Sequence, residues 1–250
     1  MPNTKISADR VKNHWQYSKT IYIFGTIAAV MLAALIFTIA TNRTPPNQYA
    51  VGIALVRSYS NTEKLEEDSA ELLRRGQAYD ETLQSVSFMS IMYDGTVNND
   101  GGAGAQMYTL HLSVGENDIF VQTEQMTKDL IDQGFCVPLE QLDAFEEFTR
   151  RFPDVPVLWD YDAETKAKME QDAAENGEDA PEPDAEKHAY AVDISGLTGF
   201  IERQSMDNRG MYACIIGSSA NPNTSMYVLG QMFDLFAPSE AEEAADGQNG

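Results

Sequence analysis

The chain has 250 residues, 17 of them Lys or Arg and 39 Asp or Glu, for a formal net charge of −22. So acidic a polypeptide repels phosphate backbones and anionic headgroups, which excludes nucleic acid as a partner. Two cysteines and three scattered histidines offer no ligand spacing, so no metal and no other cofactor is expected.

Residues 1–19 form a basic tail, with Lys5, Arg10, Lys12 and Lys19 against Asp9. From Thr20 to Ala40 the sequence TIYIFGTIAAVMLAALIFTIA contains no charged residue and no Asn, Gln, His or Pro. A helix rises about 1.5 Å per residue, so roughly 20 such residues match the ~30 Å hydrocarbon layer. A single transmembrane helix is therefore expected over residues 20–41, with the membrane as partner through Thr20 to Ala40. The run exceeds the ~7–15 residue core of a secretory signal, and no clean small-x-small site closes it. Basic residues ahead of a span favour the cytoplasmic side, which places the amino terminus inside and the rest in an extracytoplasmic position. Beyond the tail, 13 basic residues face 38 acidic ones.

Residues 42–48 read as a linker, stopped by Pro45-Pro46. An extracytoplasmic domain is expected over 49–238. Tyr49–Tyr59 is a buried strand by its short apolar, β-branched run. Asn61 or Thr62 caps a helix over Glu63–Arg75 that ends at Gly76. Thr82–Tyr93 alternates as a second strand, and Asp94–Gln106 is loop. Met107–Val114 alternates again, through Tyr108, Leu110, Leu112 and Val114, although the end of a helix fits equally. Asp118–Gln122 is a short strand; Thr123 caps a helix that Gly134 ends. Phe135–Leu139 is extended and Glu140–Arg151 helical.

Residues 160–187 hold almost nothing that could enter a core. They read as an acidic, mobile excursion, since such composition does not offset an ordering entropy of about 1–2 kcal/mol per residue. Tyr190–Ile194 and Met211–Ile216 are strands, Gly199–Gln204 is a short helix, and Asn223–Phe236 is the last helix. Residues 239–250 form a disordered acidic tail. Strands alternating with helices define an α/β domain with mostly parallel pairing. Cys136 and Cys214 lie in apolar stretches and read as buried thiols, although an oxidising exterior permits a bridge.

Two segments carry a resemblance. Gly115-Glu116-Asn117-Asp118-Ile119-Phe120, followed by a helix, a Gly and a return strand to Leu139, resembles a stretch of extracytoplasmic solute-binding proteins. Tyr190–Leu235, with Asn221 opening the terminal helix, is similar to the carboxy-terminal part of the same group. The whole chain is similar to small single-pass membrane-anchored proteins of Gram-positive bacteria, mostly uncharacterised, that carry such a domain. The resemblance implies a small periplasmic-binding-protein-like (type 2) α/β domain and a non-enzymatic role, recognising a small solute or an envelope protein partner.

The candidate ligand-binding residues follow from position. Gly217-Ser218-Ser219-Ala220-Asn221 lies between a strand and a helix, where free amides gather ligands or where Asn221 simply caps. Asp118 lies in the first resembling segment. Tyr93 leaves a strand, and Trp159 and Tyr161 follow two prolines, where aromatic rings stack on ligands or plug a core. Asp94-Gly95 with Asn98 and Asp100 fails as a calcium loop, because its twelfth position is Ala105. Gly101–Gly104 lacks the Lys-Ser/Thr of a phosphate loop, and no Gly-x-Ser-x-Gly is present. A cell-envelope hydrolase would need a carboxylate set or a nucleophile in one cleft. A structural accessory subunit of a transporter or secretion complex would need a broad apolar face.

Overall fold

The computed structural model describes residues 23–37, 45–56, 60–95, 102–176 and 185–238. It divides into two units, Met1–Thr44 and Pro45–Gly250, each described by itself. In the first, residues 23–37 form helix α1. Ile23, Phe24, Val30, Met31, Leu32, Leu35 and Ile36 are all more than half exposed on it. Fifteen residues rise only about 22 Å. No helix among the described residues is long and apolar enough to cross a membrane. Of the expected span over Thr20–Ala40, residues 23–37 are described, as helix; residues 20–22 and 38–40, like the tails 1–19 and 239–250, lie outside the described residues.

The second unit is built on one six-stranded sheet. Its strands are β1 (Ala50–Val56), β2 (Ser85–Ile91), β3 (Ile119–Thr123), β4 (Val157–Asp160), β5 (His188–Asp193) and β6 (Met211–Ile215). They lie in the order β2-β1-β3-β6-β5-β4. β1 runs parallel to both β2 and β3, whereas β3–β6, β6–β5 and β5–β4 are antiparallel. The expectation of mostly parallel pairing is corrected: one half is parallel, the other antiparallel. The reason lies in the connections. Helical crossovers join β1 to β2 and β2 to β3, but β6 enters the sheet between β3 and β5 after the connection 194–210, which carries the short helix α7 (Gly199–Glu202) and turns the chain back antiparallel to β5.

Alternation along the strands divides the core. Val51, Ile53 and Leu55 of β1, with Ile119, Val121, Ala213 and Ile215, face one side. Ala54, Val56, Phe120 and Cys214 face the other. Since both faces are covered, these strands read as continuous apolar runs. The first face is packed by α2 (Thr62–Gly76), α5 (Phe145–Arg151) and α8 (Pro222–Phe236), with Leu65, Leu72, Phe148, Met226, Leu229 and Phe233 inward. α2 begins where the sequence indicates, with the Asn61 side chain accepting from the Lys64 amide. The second face is packed by α3 (Ala103–Val114) and α4 (Glu124–Asp132), the latter capped by Thr123.

Three segments need local comment. Met107–Val114 takes the helical one of its two readings, and α3 begins inside the segment read as loop, which is corrected. Its buried residues Gly104, His111 and Leu112 follow helical spacing, and Gly115, at φ +68°, closes it. The acidic stretch 160–187 is not uniformly loose: α6 covers Ala163–Asn176, and residues 177–184 lie outside the described residues. Lys166 ties α6 down by reaching Asp132 of α4 and, at 2.6 Å, Asp160 of β4. Finally, Asn221 stands at the cap position of α8 but makes no capping bond. Its amide donates instead to the carbonyls of Asn47 and Ala50.

Lys166→Ala is expected to release α6 without unfolding the sheet. Loss of this half-buried pair is worth on the order of 1 kcal/mol, so amide exchange across Ala163–Asn176 should accelerate about five-fold, with the melting temperature nearly unchanged. A fully cooperative fall in stability would show instead that α6 belongs to the core.

Candidate functional site

A groove of about 250 Å³ lies between α3 and α4 on the second face. Tyr93 and Gly95, just past β2, stand at one end, and Gln133 and Phe135 at the other. Tyr93 and Tyr108 form a tilted ring pair with centroids 5.0 Å apart. Tyr108 also meets Phe120 edge-on at 5.9 Å, which fixes its ring against β3. Its hydroxyl donates to Gln122 Oε1 at 2.8 Å. Burial pushes the Tyr108 hydroxyl well above the ordinary phenol range, so it acts there as a neutral donor.

Gln122 is fully buried, and its Nε2 has no hydrogen-bond partner among the described residues. A buried amide donor left unpaired costs about 1–3 kcal/mol, so such a group calls for an explanation. Gln122 lies behind Tyr108 and does not line the groove, whose wall combines Leu112, Met126 and Leu130 with Thr109, Ser113 and Asp129. The two hydroxyls donate to carbonyls of their own helix, and Asp129 accepts from Gln125. Among the described residues, no Lys or Arg lines the groove. Its chemistry suits a neutral or cationic ligand carrying an acceptor atom and an apolar face.

Tyr108→Phe should leave the Gln122 carbonyl without its donor, at a cost of about 1–2 kcal/mol. Thermal unfolding should move down by a few degrees. An unchanged transition would mean that this bond contributes nothing to stability.

Of the residues singled out in the sequence, Tyr93 alone lines this groove. Asp118, Ser219 and Asn221 converge elsewhere, at the start of β3, with Ser218 beside them. The Asp118 carboxylate accepts from the Gly52 amide at 2.8 Å and from Ser219 Oγ at 2.6 Å. It also accepts from the Ala220 amide, and burial raises its pKa above the ordinary value despite these bonds. Ser219 Oγ accepts from the Asn221 amide, and Ser218 donates to the Leu112 carbonyl. His111 lies nearby, but its Nδ1 accepts from Asn117 at 3.0 Å. No histidine hydrogen-bonds either serine among the described residues, so the cluster works as a polar knot joining β1, β3 and the β6–α8 turn. Trp159 is half exposed on β4, and Tyr161 lies under the Lys187 ammonium at 5.1 Å. Neither lines the groove. Cys136 and Cys214 are free and buried.

Sequence reasoning missed Tyr108, Gln122 and Asp129. The one available signal was Gln122, a polar residue ending an otherwise apolar strand.

The fold defines the class only as a mixed α/β sheet covered by helices on both faces. No known protein family and no curated protein matches the chain. A crystal structure of an uncharacterized protein from Listeria monocytogenes is similar over 41% of this chain and 23% of that one, at 9% identity and a TM-score of 0.29. The match thus spans less than a quarter of that protein's length.

Proposed function

We propose that the chain is a membrane-anchored, extracytoplasmic binding module without catalytic activity, which seats a small neutral or cationic solute in the α3–α4 groove. The observation that carries this reading is the Tyr93–Tyr108 ring pair lining a groove that also holds Thr109, Ser113 and Asp129. Ring faces beside polar oxygens form the minimum of a polar-apolar recognition site. The likeness to solute-binding proteins then applies to a single lobe, with the ligand seat moved from an interlobe cleft to the helix groove. The uncharged run Thr20–Ala40, behind four basic residues, supports anchoring with the acidic domain outside. Serines engaged by Asp118 and Leu112 rather than by histidine favour binding over hydrolysis.

Differential scanning fluorimetry of the full chain in detergent, against monosaccharides, amino acids, dipeptides and quaternary amines, tests the solute. At least one class should raise the melting temperature, and Tyr93→Ala should abolish that rise. Absence of any shift across the four classes would remove the groove as a solute site. Protease added to intact cells tests the anchor; digestion of the domain is expected, and its full protection would refute an outer location.

A further inference from the structure

The two edges of the sheet are treated differently. β4 is short, four residues, follows Pro156 and carries a register break between Leu158 and Trp159. Those are devices by which edges avoid pairing with other chains. β2 has none of them. Its seven residues, SVSFMSI, contain no charge and no proline, and they pair with β1 in unbroken register. Among the described residues, no other strand bonds the outer backbone edge of β2, and only its last carbonyl, that of Ile91, is taken, by the Tyr93 amide at 2.9 Å. Ser87, Met89 and Ser90 are exposed on it. Alongside runs a groove of about 370 Å³, lined by Leu65 and Glu66 of α2 and by Val86, Phe88 and Ser90 of β2.

We propose that β2 is a strand-accepting edge, which docks an extended segment of another protein carrying basic residues among apolar ones. The free backbone row selects an extended occupant, and seven residues at ~3.3 Å each offer about 23 Å of ladder. Every second side chain of the incoming strand would point towards Val86 and Phe88. Charge decides between occupants. A second copy would bring −22 against −22, whereas among the described residues Glu66 is the charged residue that lines the groove. A basic segment is therefore favoured over self-pairing. The solute groove lies on the opposite face of the sheet, so either site can fail without the other.

The test uses the full chain in detergent micelles and three seven-residue probes: a peptide alternating Val with Lys and Thr, its Val/Glu/Thr counterpart, and a fully N-methylated form of the first. The basic peptide should slow hydrogen exchange over Ser85–Ile91 about ten-fold or more at saturation. The acidic and N-methylated peptides should not. Glu66→Gln, at an exposed position that leaves folding intact, should weaken the basic peptide about two- to five-fold. Equal binding by the N-methylated probe, or no protection at saturating peptide, would overturn the proposal. So would edge protection in the protein alone that disappears on dilution together with a sedimenting dimer, which would assign the edge to a second copy.

Discussion

Gly52→Ala is expected to be among the most damaging single substitutions in the domain, because its added Cβ would meet backbone rather than a movable side chain. That atom would lie 2.3 Å from the Glu116 carbonyl oxygen and 2.9 Å from Asn117 Cα. The chain cannot yield there. Asp118 N donates to the Gly52 carbonyl while Gly52 N donates to the Asp118 carboxylate, so the two segments are bonded in both directions. Overpacking typically costs about 1–3 kcal/mol, and with rigid neighbours the upper end or beyond applies. Against a total stability of about 5–15 kcal/mol, urea unfolding should show a loss of about 3 kcal/mol or more. A loss below about 1 kcal/mol would mean that residues 116–118 can lift from β1 freely.

Asp118→Ala is expected to have a comparable effect by the opposite route. It removes the shared acceptor of three donors, two amides and the Ser219 hydroxyl. Buried donors left unpaired cost about 1–3 kcal/mol each, with partial relief where water enters, so a loss of about 3–5 kcal/mol is expected. Asp118→Asn keeps the shape and one acceptor oxygen, and Ser219 can rotate to accept from the new amide; its deficit should be much smaller at neutral pH. The pH dependence separates charge from shape. Burial raises the native carboxyl pKa above its ordinary 3.8, so the folded state binds this proton more tightly than the unfolded chain does. The resulting stabilisation is complete below the unfolded pKa and is lost as pH rises through the native value. A carboxamide at this position cannot titrate and lacks that gain. The deficit of Asp118→Asn relative to the wild type should therefore widen between neutral pH and about pH 4. A gap that narrows on acidification would reverse the assigned direction.

Much of this knot was legible before any coordinates, though not its purpose. Asp118 and the Ser218–Asn221 turn stood out by position, yet the partners of Asp118 lie 101 and 66 residues away in sequence. The side chains singled out there bond one another and the Gly52 amide. β1, β3 and β6 were readable because burial on both faces leaves uninterrupted apolar runs. α2 and α4 were readable from Asn61 and Thr123, whose caps are local. α3 was not, since Gly101–Gly104 imitates a loop and its apolar residues satisfy periods of both 2 and 3.6. α6 was hidden for another reason. Its composition offers no core, and the ion pair from Lys166 to Asp132 spans 34 residues. Strand order was beyond local pattern altogether, because nothing in MYACI tells which neighbours it will join. Likewise Tyr108 and Gln122 become a pair only once α3 is recognised as a helix.

The place of β6 has a consequence for how the protein is made. The last strand of this sheet to be synthesised lies near its middle, between β3 and β5, and α8, the final described helix, covers the first face beside α2. A growing polypeptide therefore exposes two naked strand margins until Ile215 has emerged, and it stays unsealed until α8 follows. Completion of the domain must wait for synthesis of α8, and any premature stop before Met211 leaves a product with sticky borders that quality-control proteases would remove.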